Sequence, residues 1–257
     1  MAKRKQKYKI RKWVFWLLGL ILAGIVGYIN YQLWLSREDR FIQYQEFGTE
    51  IPVNYSMHGI DVSVHQGRIN WDMVKSMEVR GVHLDFTFIK ATEGLGKVDA
   101  QFRRNWDEAR DAGMTRGAYH YFLATKSGRA QAENFLGTID LQSGDMPPVL
   151  DVEDTYGVRD TVLRERVREW LDVVETTTGT RPIIYTYVDF YNRHLGRMFD
   201  GYPLWVAHYL QEEHPRISRE WAFWQHSESG HVSGINTRVD FDVFIGDSLA
   251  FKQLLIQ

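Results

Sequence analysis

The chain has 257 residues, 31 basic and 33 acidic side chains, a formal net charge of −2 and no cysteine. The absence of cysteine excludes disulfides, thiolate metal ligands and a cysteine nucleophile, and is compatible with an oxidising exterior. Seven of the basic residues lie within the first 12, so residues 13–257 carry 24 basic against 33 acidic side chains, a net of −9. An acidic balance of this kind disfavours nucleic-acid binding and capture of anionic polymers by general charge.

In chain order, the basic tail 1–12 (Lys3, Arg4, Lys5, Lys7, Lys9, Arg11, Lys12) comes first. It precedes an apolar run of 17 residues, 13–29, which residues 31–35 extend to about 23. A helix needs roughly 20 such residues to cross a bilayer. The basic flank predicts a cytoplasmic N-terminus, with the remainder on the periplasmic or extracellular side of the inner or cytoplasmic membrane. A cleaved signal peptide competes with an anchor at 13–35, but the run is long for one and bulky residues, GYINYQLWLS, follow it. A buried soluble helix is the third possibility. Residues 36–56 have mixed polarity and no clear period and read as a stalk that packs on the domain; 57–257 are enough for one domain with a large core.

Within 57–257, short apolar runs alternate with amphipathic stretches. HGIDVSV is a strand, INWDMVKSMEVRG a helix burying Ile69, Trp71, Val74 and Met77, LDFTFIKATEG a strand and FRRNWDEARDAG a helix ending at Gly113. TRGAYHYFLA is a strand, SGRAQAENFLGTI a helix capped by Ser127, and PPVLDVED a strand. The longest helix, RDTVLRERVREWLDVVETTTG, turns Val162, Val167, Trp170, Leu171 and Val174 inward. RPIIYTY, YPLWVAHY, WAFWQHS and TRVDFDVF supply four further strands with thin connections. Eight strands, with helices between the early ones, predict a closed β/α barrel; an open doubly wound sheet would want a glycine-rich phosphate loop, and none is present.

Barrel chemistry sits at the C-terminal strand ends. By this count Asp61, Glu93, His120, Asp151 with Glu153, Tyr187, His208 with Tyr209, and Gln225 fall there. Asp151 and Glu153, two apart on one strand end, share a face; two carboxylates that close raise the pKa of one, as a general acid at a glycosidic oxygen requires. Their spacing of about 6.5 Å along the backbone lies near the boundary between retaining and inverting pairs and equally permits participation of a substrate acetamido group. A purely local role, with Asp154 capping and its neighbours solvated, is also open. Asp61 either braces the barrel mouth through backbone N–H groups or meets substrate or Asp151. Asp240 and Asp242 alternate to one side of the final strand, where one of them serves only that strand.

Tyr119, Tyr121, Tyr187, Trp205, Tyr209 and Trp224 lie on or near the same ends, where flat side chains bury sugar C–H faces, although aromatic residues also fill barrel cores. Trp71, Trp106 and Trp170 read as packing. His65, His120 and His208 invite a metal site with Asp61 or Asp151, but there is no HExxH and no close histidine pair, so neither metal nor cofactor is expected. No G-x-S-x-G elbow supports a serine hydrolase.

Eight blocks in order, HGIDVSVHQGRINW, FTFIKATEG, RGAYHYF, PPVLDVED, RPIIYTY, PLWVAHY, WQHS and RVDFDVF, resemble the glycoside hydrolase family 25 lysozymes of the Chalaropsis type over about residues 57–247. The resemblance implies an irregular barrel of TIM type with reduced helices. It also implies peptidoglycan as substrate, cleaved at the β-1,4 bond between N-acetylmuramic acid and N-acetylglucosamine without a cofactor. By the same likeness Glu153 is the general acid/base, Asp151 assists the 2-acetamido group, and Asp61 and Asp240 complete the acidic floor. Glu93, Tyr119, Tyr121, Tyr187, Trp205, Tyr209 and Gln225 match positions lining the saccharide groove. The chain departs from the family in its anchor and in Asp242, where asparagine is common. A non-catalytic peptidoglycan-binding or scaffold protein is the alternative, against which the intact acid set argues.

Overall fold

The computed structural model describes residues 12–35, 41–211 and 213–257. The basic tail, apart from Lys12, and residues 36–40 of the expected stalk lie outside them. Two compact units result, and the first contains helix α1 (Lys12–Leu35). Its stretch Val14–Gln32 is long and apolar enough to cross a membrane, by length and composition.

The second unit is an irregular α/β barrel. Eight strands form its closed wall: β3 (Met57–Val62), β5 (Val82–Glu93), β7 (Thr115–Tyr121), β8 (Val149–Asp151), β9 (Ile183–Tyr187), β10 (Leu204–Ala207), β11 (Phe223–Gly230) and β12 (Val239–Phe244), with β3 pairing β5 to close the ring. The sheet is mixed: β12 runs antiparallel to both β11 and β3, and the other neighbours are parallel. Reversal of β12 decides the site, because its first residues lie at the end of the barrel where the other strands finish. Asp240 therefore pairs directly with Asp61.

Period-2 alternation divides each strand between two cores. The interior is filled by aromatic rings: Phe88 stacks on Trp205 at 4.2 Å, and Phe86 packs at 5.3 Å from Phe223. Gly59 is required here, since a Cβ would lie 2.3 Å from the Phe86 ring. Helix α7 (Ser248–Leu254), capped by Asp247, packs Phe251 at 5.4 Å from Phe86.

On the outer face, helices α2 (Trp71–Ser76), α3 (Phe102–Asp111), α4 (Gly128–Leu136) and α5 (Asp160–Thr178) bury Trp71, Trp106, Phe135 and Trp170. The Ser127 hydroxyl caps α4 as expected, accepting from the Ala130 amide. In α5 the buried stripe takes Leu163 rather than Val162, and Gly179 ends the helix in the left-handed region at φ 67°. The first helix is shorter than its sequence suggests. Met77 already lies beyond it, and β4 (Glu78–Val79) turns back onto β5 through Arg80 and Gly81, both at positive φ, a pairing suited to a tight hairpin. A further short hairpin strand, β6 (Lys97–Val98), extends β5, and a single turn, α6 (Val188–Phe190), follows β9.

Late connections supply few helices, so the outer face of β11 and β12 needs another cover. Residues 41–52, read as stalk, supply it within the same compact unit: β1 (Phe41–Tyr44) and β2 (Thr49–Pro52) form an antiparallel hairpin. Phe41 meets Trp224 edge-on at 5.7 Å, Phe47 meets Phe241 at 5.4 Å, and the Thr49 and Ser227 hydroxyls are 2.7 Å apart.

Candidate active site

Five carboxyl groups converge at the mouth. Asp151 ends β8, paired across the sheet with Tyr121 and Tyr185, and Glu153 follows on the same side. Asp61 and Asp240 face each other from β3 and β12, and Asp242 lies one alternation deeper, opposite Gly59 and Gln225. The mouth is dry enough to govern their protonation. Burial pushes Asp151 well above the ordinary carboxylate range, with the neighbouring Glu153 adding to the rise. Glu153 is itself raised by burial, against hydrogen bonding from Tyr185 and the charge of Lys90. Asp61 is raised by burial and then by Asp240 and Asp242, while Asp240 is pushed up to about 6 by burial, Glu228 and Glu153. Groups coupled this closely titrate as a set, each proton lost making the next harder to remove.

Gln225 organises the floor. Its amide nitrogen donates to Asp61 Oδ2 at 2.6 Å, and its carbonyl oxygen accepts from the hydroxyls of Tyr185 at 2.8 Å and Tyr209 at 2.6 Å. The Asp151 Oδ1 atom is buried with no hydrogen-bond partner among the described residues. An orphaned acceptor in a dry site is costly, and it is satisfied once a donor arrives.

Expected groove residues separate into two sets. Tyr121, Tyr187 (40 % exposed) and Tyr209 reach the opening. Trp205 and Gln225, each 2 % exposed, do not; Trp205 is sandwiched in the aromatic interior and donates its indole N–H to Asp242 Oδ1 at 2.7 Å. These two support the floor from beneath rather than offering a surface to a sugar. Tyr119 is also largely buried, its ring 6.3 Å from that of Trp205. Glu93 is gripped by Lys90 and Lys97 at 2.8 and 3.0 Å; burial works to raise it, but the two lysines prevail and hold it below its usual value.

The histidines do not converge. His120, placed at the mouth by strand counting, lies on the outer side, between the Thr92 hydroxyl at 2.7 Å and Gln131 Oε1 at 3.2 Å, stacked near Trp170. Alternation along β7 explains the misplacement: Tyr119 and Tyr121 face inward, so His120 between them faces out. His65 is exposed in the turn after β3, and His208 Nδ1 accepts from the Arg216 amide. Trp224 also points outward, donating to the His208 carbonyl at 2.9 Å and packing under the hairpin. Among the described residues no cluster of three or more His, Cys, Asp or Glu is placed to hold a metal ion.

Three mouth residues escaped the sequence reading. Lys90 alternates with Phe86 and Phe88, so its inward course was legible; its ammonium sits 4.6 Å from the Tyr121 ring centre. Tyr185 was likewise legible, being two residues before Tyr187 on β9. Tyr156, at φ 48°, places its hydroxyl 3.2 Å from that of Tyr121, and only the folded loop brings the two together.

Comparison with known proteins agrees with this geometry. Residues 60–235 match the family described as Glycosyl hydrolases family 25. The chain is 49% identical over 202 residues to the uncharacterised protein YegX of Escherichia coli K12, covering 79% of this chain and 74% of that one. It is 35% identical over 207 residues to Lysozyme M1 of Streptomyces globisporus, covering 75% and 69% of the two chains. A solved family 25 glycosyl hydrolase from Bacillus anthracis superposes with a TM-score of 0.74 at 27% identity, over 84% of this chain and all of that one. The family match over residues 60–235, which include Asp61, Asp151 and Glu153, establishes that the chain belongs to glycosyl hydrolase family 25.

Proposed function

We propose that the protein is a peptidoglycan hydrolase of the lysozyme type, cleaving the β-1,4 bond between N-acetylmuramic acid and N-acetylglucosamine. Family membership and the likeness to Lysozyme M1 support the reaction class. The observation that carries the mechanism is the coupled pair at the mouth, Glu153 beside an Asp151 whose buried Oδ1 lacks a partner among the described residues.

In this reading Glu153 delivers its proton to the glycosidic oxygen as the C1–O bond breaks. The carbonyl oxygen of the substrate's 2-acetamido group attacks C1, giving a cyclic oxazolinium ion. Asp151 Oδ1 accepts the acetamido N–H and offsets the developing positive charge. Water then opens the ring at C1, giving its proton to Glu153 and restoring the amide, with net retention at C1. Asp61 and Asp240 hold the floor through Gln225 and β12. Tyr121, Tyr187 and Tyr209 face the sugar, and Lys90 tempers the negative field around the pair.

Helix α1 serves as a single-pass anchor in this proposal, with the barrel held on the periplasmic or extracellular side, where peptidoglycan lies. The test is digestion of purified peptidoglycan followed by identification of the new reducing end. Muramic acid there supports the proposal; glucosamine there, or no cleavage, rejects it.

A further inference from the structure

Asp242 is the one mouth carboxyl for which the mechanism has no use, and its surroundings are specific. The side chain is 0 % exposed. Oδ1 accepts the indole N–H of Trp205 at 2.7 Å, and Oδ2 is buried with no hydrogen-bond partner among the described residues. Every strand that packs against it presents either a neutral group or another acid. From β3 come Gly59 in register and Asp61 beyond it; from β10, Trp205; from β11, Gln225 in register and the rim acid Glu228; from β12 itself, Asp240. Asp151 and Glu153 add further acid from the β8 side of the mouth, and the tyrosines Tyr185 and Tyr209 reach Gln225. No lysine, arginine or histidine bonds to Asp242 among the described residues.

An ionised carboxylate in that position would leave one oxygen charged and dry beside other acids, whereas a carboxylic acid brings no charge into the site. Trp205 already satisfies the carbonyl side. We propose that Asp242 is a positioning residue with a resident proton, and that loss of this proton sets the alkaline limit of the enzyme. The position of Asp242 opposite Gln225 gives the route. Ionisation would set a full charge opposite Gln225, in competition with Asp61 for its amide nitrogen. Displacing that amide frees the single O–H of Tyr185 from Gln225 Oε1 to turn toward Glu153, which lowers the hold of the acid on its proton. Asp242 thus acts on the acid/base through two neutral side chains and touches no substrate. Burial, the first cause acting on this carboxyl, and the adjacent Asp240 both favour the protonated form, while the Trp205 N–H opposes it.

The second half of this inference rests on the glycosidase reading; the first does not. The full chain, solubilised in detergent, is compared with Asp242→Asn by infrared spectroscopy and by peptidoglycan cleavage across the pH range. At neutral pH the parent should show the C=O stretch of a dry protonated carboxyl, and the variant should lack it. The basic limb of kcat/KM should move upward by at least about one pH unit in the variant, because an amide cannot ionise. A band unchanged by the substitution, or a basic limb that stays in place, overturns the proposal. Should that variant fail to fold, Asp242→Glu replaces it: the parent-minus-variant spectrum must show a shifted carboxyl band, that band must disappear over the pH interval in which activity falls, and separation by more than about one unit refutes the link. A parent inactive at every pH sinks the glycosidase reading instead, leaving the band to decide the proton.

Discussion

Glu153 and Asp151 occupy one dry corner, but the chemistry proposed for them differs, so their amide variants should fail differently. Glu153→Gln keeps the shape and removes the proton; kcat on peptidoglycan should fall about 10²–10⁴-fold with KM little changed, the usual worth of general acid–base catalysis. Retention of activity within about threefold of the parent would reject the assignment. Asp151→Asn still offers a carbonyl oxygen to the acetamido N–H but no charge to the oxazolinium ion. It should lower kcat by roughly 10²-fold or more, and glycan strands de-N-acetylated at muramic acid should be cut poorly even by the parent. Equal rates on native and de-N-acetylated strands would remove acetamido participation while leaving hydrolysis in place.

The hairpin β1–β2 does for the outer face of β11 and β12 what helices do elsewhere on the barrel. Phe47 is 0 % exposed against Phe241, so Phe47→Ala should destabilise the domain by about 3–5 kcal/mol, read from denaturant unfolding, with the site's acids untouched. Beneath the same hairpin His226 is buried between Phe41, Trp224 and Phe241, both ring nitrogens without partners among the described residues. Burial, helped by the nearby His58, lowers its pKa to about 3. The folded state therefore keeps the ring neutral while the unfolded chain takes up a proton below about 6.5, so stability falls as pH drops through that value and continues to fall toward 3. His226→Phe removes this loss. Its stabilising effect should grow by about 2 kcal/mol between pH 7.5 and pH 5, a change seen in the melting temperature. A pH-independent difference would show that the ring is not held neutral.

At the scale of the whole molecule the proposed division is a cytoplasmic basic tail, one crossing and an external barrel. A reporter active only outside the cytoplasm, fused after Gln257, should be active, and a cytoplasmic reporter at the same point should be silent; the reverse pattern would sink the topology. The warrant is the cluster of seven basic residues ahead of the apolar helix α1. The acidity of the rest of the chain carries a second consequence. Peptidoglycan would not be drawn in by general charge, and the proposed reading assigns its binding to the tyrosines of the mouth and to Lys90.

The eight wall strands and their order were legible in the sequence, because apolar runs of strand length between turn signals record local burial. Alternation within them placed Asp61, Asp151 and Asp240 on one side, and would have shown Lys90 and Tyr185 as well. Local periodicity carries no information on direction or on partners far along the chain. Only the fold reversed β12, and so set Asp240 against Asp61 across a separation of 179 residues. The fold also sank Trp205 and Gln225 beneath the floor, and laid residues 41–52 over a face that short connections leave uncovered. Residue types and their alternation were written in the chain; which carboxyl groups became dry neighbours, and hence which are pushed toward the protonated form, was decided by long-range strand pairing.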